Sequence, residues 1–337
     1  MDANLNDLLI HEPRRPYYIF SPSYTDQSAG IKVLHYLCHY LNISGYPAFL
    51  TLKKFNSNYK VNPSLITPVL NHDVINNHKQ HNLNPIVIYP DIAKRNYFGE
   101  KTFFRYLLNY PGLLGGPKIF DSKEIIFTYS KKISETLNQK NHVLFFPVIN
   151  TKIFFNDNKQ DRDKNLSYFY ASKYQLFHKQ EPFPITDKSI EITRNKVDSP
   201  SQYQIANFLR KAWFFATYED TSLITESILC GCPVLLIKNK FFNGVPLAID
   251  ELGIFGCFSD TNKNNLENNI LKAHDEIPLA IAKYQESLIK FKSSLENFID
   301  ITQSEALKHD FPADFKIEKF MHSPKKEISY IKRKIWS

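Results

Sequence analysis

"SPSQYQIANFLRKAWFFATYEDTSLITESILCGCPVLLI", residues 199–237, holds in one run the elements that decide the fold. Apolar residues recur at helical spacing over 201–211, and the aromatic run WFFATY (213–218) reads as the strand that follows. The polar turn EDTS (219–222) ends that strand, a second helix closes at Gly231, and Pro233 opens the strand PVLLI. Strand, helix and strand in that order form a βαβ unit, with the helix starting at the carboxyl edge of a strand. Open α/β sheets bind their ligands at that edge.

Similar units extend in both directions. YYIFS (17–21), PAFLTL (47–52), PIVIYP (85–90), EIIFTYS (124–130) and VLFFPV (143–148) are apolar runs of strand length, each followed by polar or turn-forming residues, as buried parallel strands are. Between the first two, Ile31, Leu34, Leu37, Cys38 and Leu41 mark an amphipathic helix ending at Gly45. NDNKQDRDKN (156–165) is charged and aperiodic, a surface linker. Strand candidates resume with LSYFYA (166–171), SIEIT (189–193), WFFATY and PVLLI, and beyond about residue 265 the pattern is helical, as LENNILKAHDEI and then PLAIAKYQESLIKFKSSLENFIDIT.

The expected fold class is therefore α/β, with two Rossmann-like parallel-sheet domains facing a cleft. Residues 1–155 form the first domain and 166–304 the second, and a C-terminal helix from about 305 to 337 joins the first. A chain of 337 residues agrees, because single cores rarely grow beyond roughly 250 residues.

Composition narrows the function. At 43% hydrophobic and 23% charged residues, the chain is that of a soluble globular protein. No run approaches the ~18–20 apolar residues of a membrane span, and the start lacks a secretion-signal layout, which points to the cytoplasm. The net charge of +8 favours polyanionic partners: nucleotide phosphates, nucleic acid or an anionic membrane face. The lysines are scattered, however, and no nucleic-acid-binding motif is present, so nucleic acid is not expected as a partner.

The four cysteines, Cys38, Cys230, Cys232 and Cys257, form no second pair at zinc spacing, and buried packing is the expected role of the Cys230-Gly-Cys232 pair. His35 and His39 stand at i, i+4 without a third ligand, which reads as a partly exposed helix face. No metal or cofactor is expected. The basic, isoleucine-containing tail 325–337 has the composition of a helix lying on an anionic membrane surface, or of a terminal helix docked on the first domain.

The chemistry concentrates at the turn after WFFATY. Asp220, Thr221 and Ser222 are capping residues, and the N–H groups of a helix beginning near Leu223 suit a phosphate. Glu226, one turn in, is placed to accept hydrogen bonds from sugar hydroxyls.

YEDTSLITESILCGCPVLLI (218–237) resembles the donor-binding segment of the GT-B glycosyltransferases, in particular the group 1, family 4-like enzymes of bacterial polysaccharide and lipopolysaccharide synthesis. That resemblance implies a nucleoside-diphosphate sugar as co-substrate, with Glu226 on its ribose. Retaining members carry an earlier glutamate where this chain has Tyr218, with Glu219 one place later, so the stereochemical outcome stays open. FSPSYTDQSAGIKVLHYL (20–37) is similar to the family's first acceptor-side unit, whose loop at Ser28, Ala29 and Gly30 would face the cleft. SYFYASKYQLFHK (167–179) is similar to the first donor-side strand and loop, which implies Lys173 and Lys179 as diphosphate ligands.

An inverting transfer also needs a base within reach of the acceptor hydroxyl, for which Asp26 ranks ahead of Asp91. Arg95 and Arg105 are candidates to hold an anionic acceptor, or are residues of a solvated helix. The expected activity is transfer of a sugar to a glycan or lipid-linked glycan, on the cytoplasmic side and with a peripheral membrane position open. The rival readings are a sugar-nucleotide epimerase of the same architecture, a basic nucleic-acid-binding protein, and a non-catalytic partner subunit.

Overall fold

The computed structural model describes residues 13–52, 58–94, 96–157, 161–194 and 198–315. Arg95 and the tail 325–337 lie outside these described residues. The chain forms two all-parallel sheets.

In the first sheet the strands are β1 (Tyr17–Phe20), β2 (Ala48–Thr51), β3 (Ile86–Pro90), β4 (Phe104–Leu107), β5 (Ile125–Thr128) and β6 (Asn141–Val143), in the order β2-β1-β3-β4-β5-β6. The second contains β7 (Asp163–Tyr170), β8 (Ile190–Glu191), β9 (Ala212–Thr217), β10 (Val234–Leu236) and β11 (Cys257–Phe258), in the order β11-β10-β9-β7-β8. Each order reverses beside its first strand, as in doubly wound sheets, which bind ligands at such switch points.

Helix α1 (Ala29–Ile43) follows β1, capped by the Ser28 hydroxyl, which accepts from the Ile31 N–H. Its apolar face packs with Tyr17, Ile19, Ile86 and Ile88 into one core. α2 (His72–Gln80) covers the other face of the same sheet, where Ile75 packs with Tyr18, Val87 and Tyr89, while α3 (Lys131–Ser134) is a single turn after β5. In the second domain α4 (Ser172–Leu176) follows β7, α5 (Gln202–Lys211) leads into β9, and α6 (Leu223–Leu229) joins β9 to β10. A capping box between Ser201 and Gln204 starts α5 where the sequence suggests a helix. The strand β7 begins inside the segment read as linker, at Asp163.

α6 ends on Gly231 at φ +76, where the Gly231 N–H donates to Ile228 O and the Cys232 N–H to Ser227 O, a Schellman closure that needs the left-handed backbone. Cys230 and Cys232 are fully buried in the second core, and burial pushes both thiols up to about 12. The pair therefore packs as apolar residues do.

After the short α7 (Ile249–Leu252), the C-terminal part is one helix, α8 (Leu266–Ala306), where the sequence suggests two helical stretches. Pro278 lies within it. An interior proline costs about 3 kcal/mol, yet Ile270, Ala273, Ile277, Ala280 and Tyr284 keep one buried face through that position. Ile277, Ala280 and Tyr284 belong to the second core, and Phe291, Leu295, Phe298 and Ile299 to the first. None of the described helices is long and apolar enough to cross a membrane.

The two domains also meet at the loop after β10. Leu247 packs among Leu107, Phe120, Ile126 and Ile133 of the first domain, and the Lys131 N–H donates to Glu251 at 2.7 Å.

Candidate functional site

Parallel strands put their carboxyl ends on one edge, so β1, β3 and β4 of the first sheet and β7, β9 and β10 of the second deliver their following loops to the cleft. The βαβ unit that opened the sequence reading supplies the centre. Glu226, in the first turn of α6, is fully buried. One of its oxygens takes a short ion pair from Arg194 Nη2. The other accepts from the Ser222 hydroxyl at 3.0 Å and faces Lys32 Nζ at 3.5 Å. Arg194 Nη1 also donates to the Ser222 hydroxyl at 3.0 Å.

Lys32 comes from the first turn of α1, so the pair Lys32–Glu226 crosses the cleft. Burial alone would raise the Glu226 carboxyl, but Arg194 and Lys32 outweigh it and hold the group below the usual carboxylate range. Burial depresses the Lys32 ammonium, with Glu226 opposing. Neither cation stands out in the sequence: Lys32 interrupts the apolar face of α1, and Arg194 follows a two-residue strand.

Beside this cluster lies a cavity of about 540 Å³. Its walls come from the loop after β1 (Tyr24, Asp26, Gln27), from α1 (Lys32, Tyr36) and from the approach to α5 (Arg194, Ser199, Gln202, Tyr203). Amides and hydroxyls dominate these walls, with an ion pair behind them, a lining that suits a polyhydroxylated ligand. Asp26 is exposed on the rim and accepts from the Tyr24 hydroxyl at 2.8 Å. Ser28, Ala29 and Gly30 form the start of α1 at the cleft edge, with Gly30 close to Leu108.

Other residues expected at the site serve the turn itself. The Asp220 carboxylate accepts from the Leu247 N–H at 3.0 Å, and burial raises its pKa. The Leu223 N–H donates to the Thr221 hydroxyl and the Ile224 N–H to Thr221 O, so these first helical donors are paired within the turn. The Leu223 side chain is fully buried in the second core. The Tyr218 hydroxyl accepts from the Phe183 N–H at 2.7 Å and pairs with Thr186, pinning the loop after α4.

Glu219 accepts from the backbone N–H groups of Lys173 and Tyr174 at 2.6 and 3.1 Å, capping α4, with the Lys173 ammonium 3.9 Å away. Lys179 is exposed and left-handed at φ +53.

Asp91, just past β3, is 5% exposed, and burial raises its carboxyl to about 6, in the range of a general base at neutral pH. It is not among the residues lining the 540 Å³ cavity. The Gly116 backbone packs on Asp91 O so closely that a Cβ would fall at 1.9 Å, which requires glycine there. Arg105 does not reach the cleft: it is 1% exposed, with Nε on Glu124 at 2.5 Å and Nη1 on Ala93 O at 2.8 Å.

His35 is fully buried rather than on an exposed face, with Nε2 at 2.9 Å from Pro22 O, and His39 Nδ1 accepts from the Ile66 N–H. Among the described residues no group of three or more His, Cys, Asp or Glu side chains is placed to hold a metal ion.

Glu100, in the loop after Asp91, is 5% exposed, and its burial outweighs the nearby Tyr89 hydroxyl and Phe98 N–H that favour its ionised form. Burial raises its pKa from 4.5 to about 7. A carboxyl raised in the folded state weakens the fold as pH climbs from its unfolded value toward its folded one. Glu100→Gln is therefore expected to raise stability by about 3 kcal/mol at pH 8 and to leave it unchanged at pH 4. Urea denaturation at both pH values checks this, and equal effects at the two would show that the charge is not the cause.

No family model matches the chain, and no curated protein matches its sequence. Among solved structures, the chain is similar to WaaG, a glycosyltransferase involved in lipopolysaccharide biosynthesis, at 10% identity and a TM-score of 0.44, over 85% of this chain and 99% of that one. The glycotransferase of kitacinnamycin is similar at 10% identity and a TM-score of 0.46, over 87% of this chain and 100% of the other. A putative UDP-N-acetylglucosamine 2-epimerase from Listeria monocytogenes is similar at 12% identity and a TM-score of 0.42, over 90% and 100%. Two parallel-sheet domains about one cleft, with a long helix near the C-terminus packed on the cores of both, give the chain the GT-B fold.

Proposed function

We propose that the chain is a glycosyltransferase that moves a sugar from a nucleoside-diphosphate sugar to a glycan or lipid-linked glycan acceptor. The observation that carries this reading is the buried Glu226 at the start of α6, on the binding edge of the second sheet and beside the interdomain cavity. Its carboxylate, kept ionised by Arg194 and Lys32, is a strong acceptor for ribose hydroxyls. Transfer builds negative charge on the departing diphosphate, and cations on the cleft edge would stabilise that charge, Lys173 among them.

Asp26 on the rim and the raised carboxyl of Asp91 are the candidate bases for the acceptor hydroxyl, and Glu219, as the cap of α4, would act by positioning Lys173. The class of product favoured is a bacterial surface polysaccharide or lipopolysaccharide. Neither a cofactor nor a metal enters this scheme.

A panel of nucleotide sugars tested by thermal shift, followed by product analysis with glycan acceptors, tests the reading. Stabilisation by a uridine or guanosine diphosphate sugar and sugar transfer to an acceptor are expected. Conversion of the nucleotide sugar with no acceptor present would instead establish an epimerase, and no stabilisation by any member would remove the donor site altogether.

A further inference from the structure

A carboxylate offers about four lone-pair positions. On Glu226 these already meet Arg194, Ser222 and Lys32, so two vicinal ribose hydroxyls can dock only if one partner leaves. Arg194 is the tightest contact, belongs to the same domain as Glu226, and is tied to Ser222 as well. Lys32 is the longest of the contacts at 3.5 Å, stands on the other domain, and lines the cavity with its flexible stem. It is the partner that can move.

Lys32 is 3% exposed where it stands, and once parted from Glu226 it would face the cavity beside Arg194 without a contacting counter-ion. An uncompensated buried charge is strongly unfavourable, so a ligand that takes Glu226 must also bring an anion. Asp26 also favours the Lys32 ammonium, but from its exposed place on the rim, with its carboxylate held by Tyr24, it offsets that charge only in part. A diphosphate attached to the same ribose is such an anion.

We propose that Lys32 is a diphosphate ligand supplied from the opposite domain: ribose binding on Glu226 releases it, and the diphosphate of that same ligand becomes its new counter-ion. This rests on the donor-site reading above and goes beyond it, because it makes the first domain part of the donor site. It also makes the exchange a selectivity device. A nucleoside alone strands Lys32, whereas a nucleoside diphosphate satisfies Glu226 and Lys32 together. Closure of the two domains is thereby tied to the presence of the phosphates.

The test is calorimetric titration of the full chain with uridine, guanosine, and their mono- and diphosphates, on the wild type, Lys32→Met and Lys32→Arg, with thermal unfolding as a folding check. In Lys32→Met, binding of the diphosphate is expected to fall about tenfold or more through the lost charged contact, while the matching nucleoside binds as well as or better than in the wild type. Lys32→Arg, which keeps the charge, is expected to retain most of the preference for the diphosphate. If both variants weaken nucleoside and diphosphate by the same factor, or change neither, Lys32 is only a structural partner of Glu226 and the proposal is wrong. If the wild type binds none of these ligands, the donor-site reading itself fails and takes this proposal with it.

Discussion

Glu226→Ala is expected to abolish nucleotide-sugar binding and to destabilise the chain by about 3–5 kcal/mol, because it leaves the buried cations Lys32 and Arg194 facing each other without their common anion. The binding loss shows as a missing thermal shift on the nucleotide-sugar panel, and the stability loss as a lower midpoint in urea.

The pH dependence has a definite sign. A carboxyl depressed in the folded state contributes stability above its unfolded pKa and loses it as pH falls through the folded one. The gap between the wild type and Glu226→Ala should therefore be full at pH 7 and narrow on acidification below the usual glutamate range. Adding Lys32→Met to Glu226→Ala should restore part of the lost stability, since one of the two stranded charges is gone. If Glu226→Ala were as stable as the wild type, the cluster would have no role in holding the domains together.

Arg105→Leu has the second large expected effect, also about 3–5 kcal/mol, and it falls on folding rather than on acceptor binding. The guanidinium joins three separate pieces of the first domain. It pairs with Glu124 at the start of β5, bonds Pro90 O and Ala93 O at the end of β3, and lies over the rings of Phe103 and Phe120 at 4.6 and 4.9 Å. Removing it leaves a largely buried carboxylate and the carbonyls it served without their donor. Arg105→Leu with Glu124→Leu should recover a good part of the loss, because an apolar pair of similar volume replaces a buried ion pair at little cost. Urea denaturation of the three variants decides this, and a stable Arg105→Leu protein that had lost only acceptor binding would return Arg105 to the site.

The same arginine shows what kept β4 from view in the sequence. FFRYL has the residues of a strand, but a central arginine breaks the apolar run that identifies buried parallel strands, and the groups that satisfy it lie 12 to 19 residues away. VLFFPV misled in the opposite direction. Leu144 to Val148 are buried as expected, yet the strand is Asn141–Val143, whose Val143 is exposed, and the buried residues run on towards the second domain. Apolar patterning reports burial, and burial is shared by strands and by crossing segments.

The βαβ unit around Glu226 was legible because its signals are local: a capping turn, a helix of two turns and a left-handed glycine. Arg194 and Lys32 stand 32 and 194 residues from Glu226, so only the fold unites them.

The helix α8 ties the two halves in a further sense. Its buried stripe changes owner between Tyr284, in the second core, and Phe291, in the first, with Ser287 buried between them. Neither domain can melt by itself without uncovering half of an amphipathic helix that the other still holds, so each core lends cooperativity to its neighbour. A protein with two domains should then lose both in a single heat-absorption peak. The same rod confines domain opening to a twist of the roughly two turns between those residues, making the cleft a torsional joint rather than a free hinge.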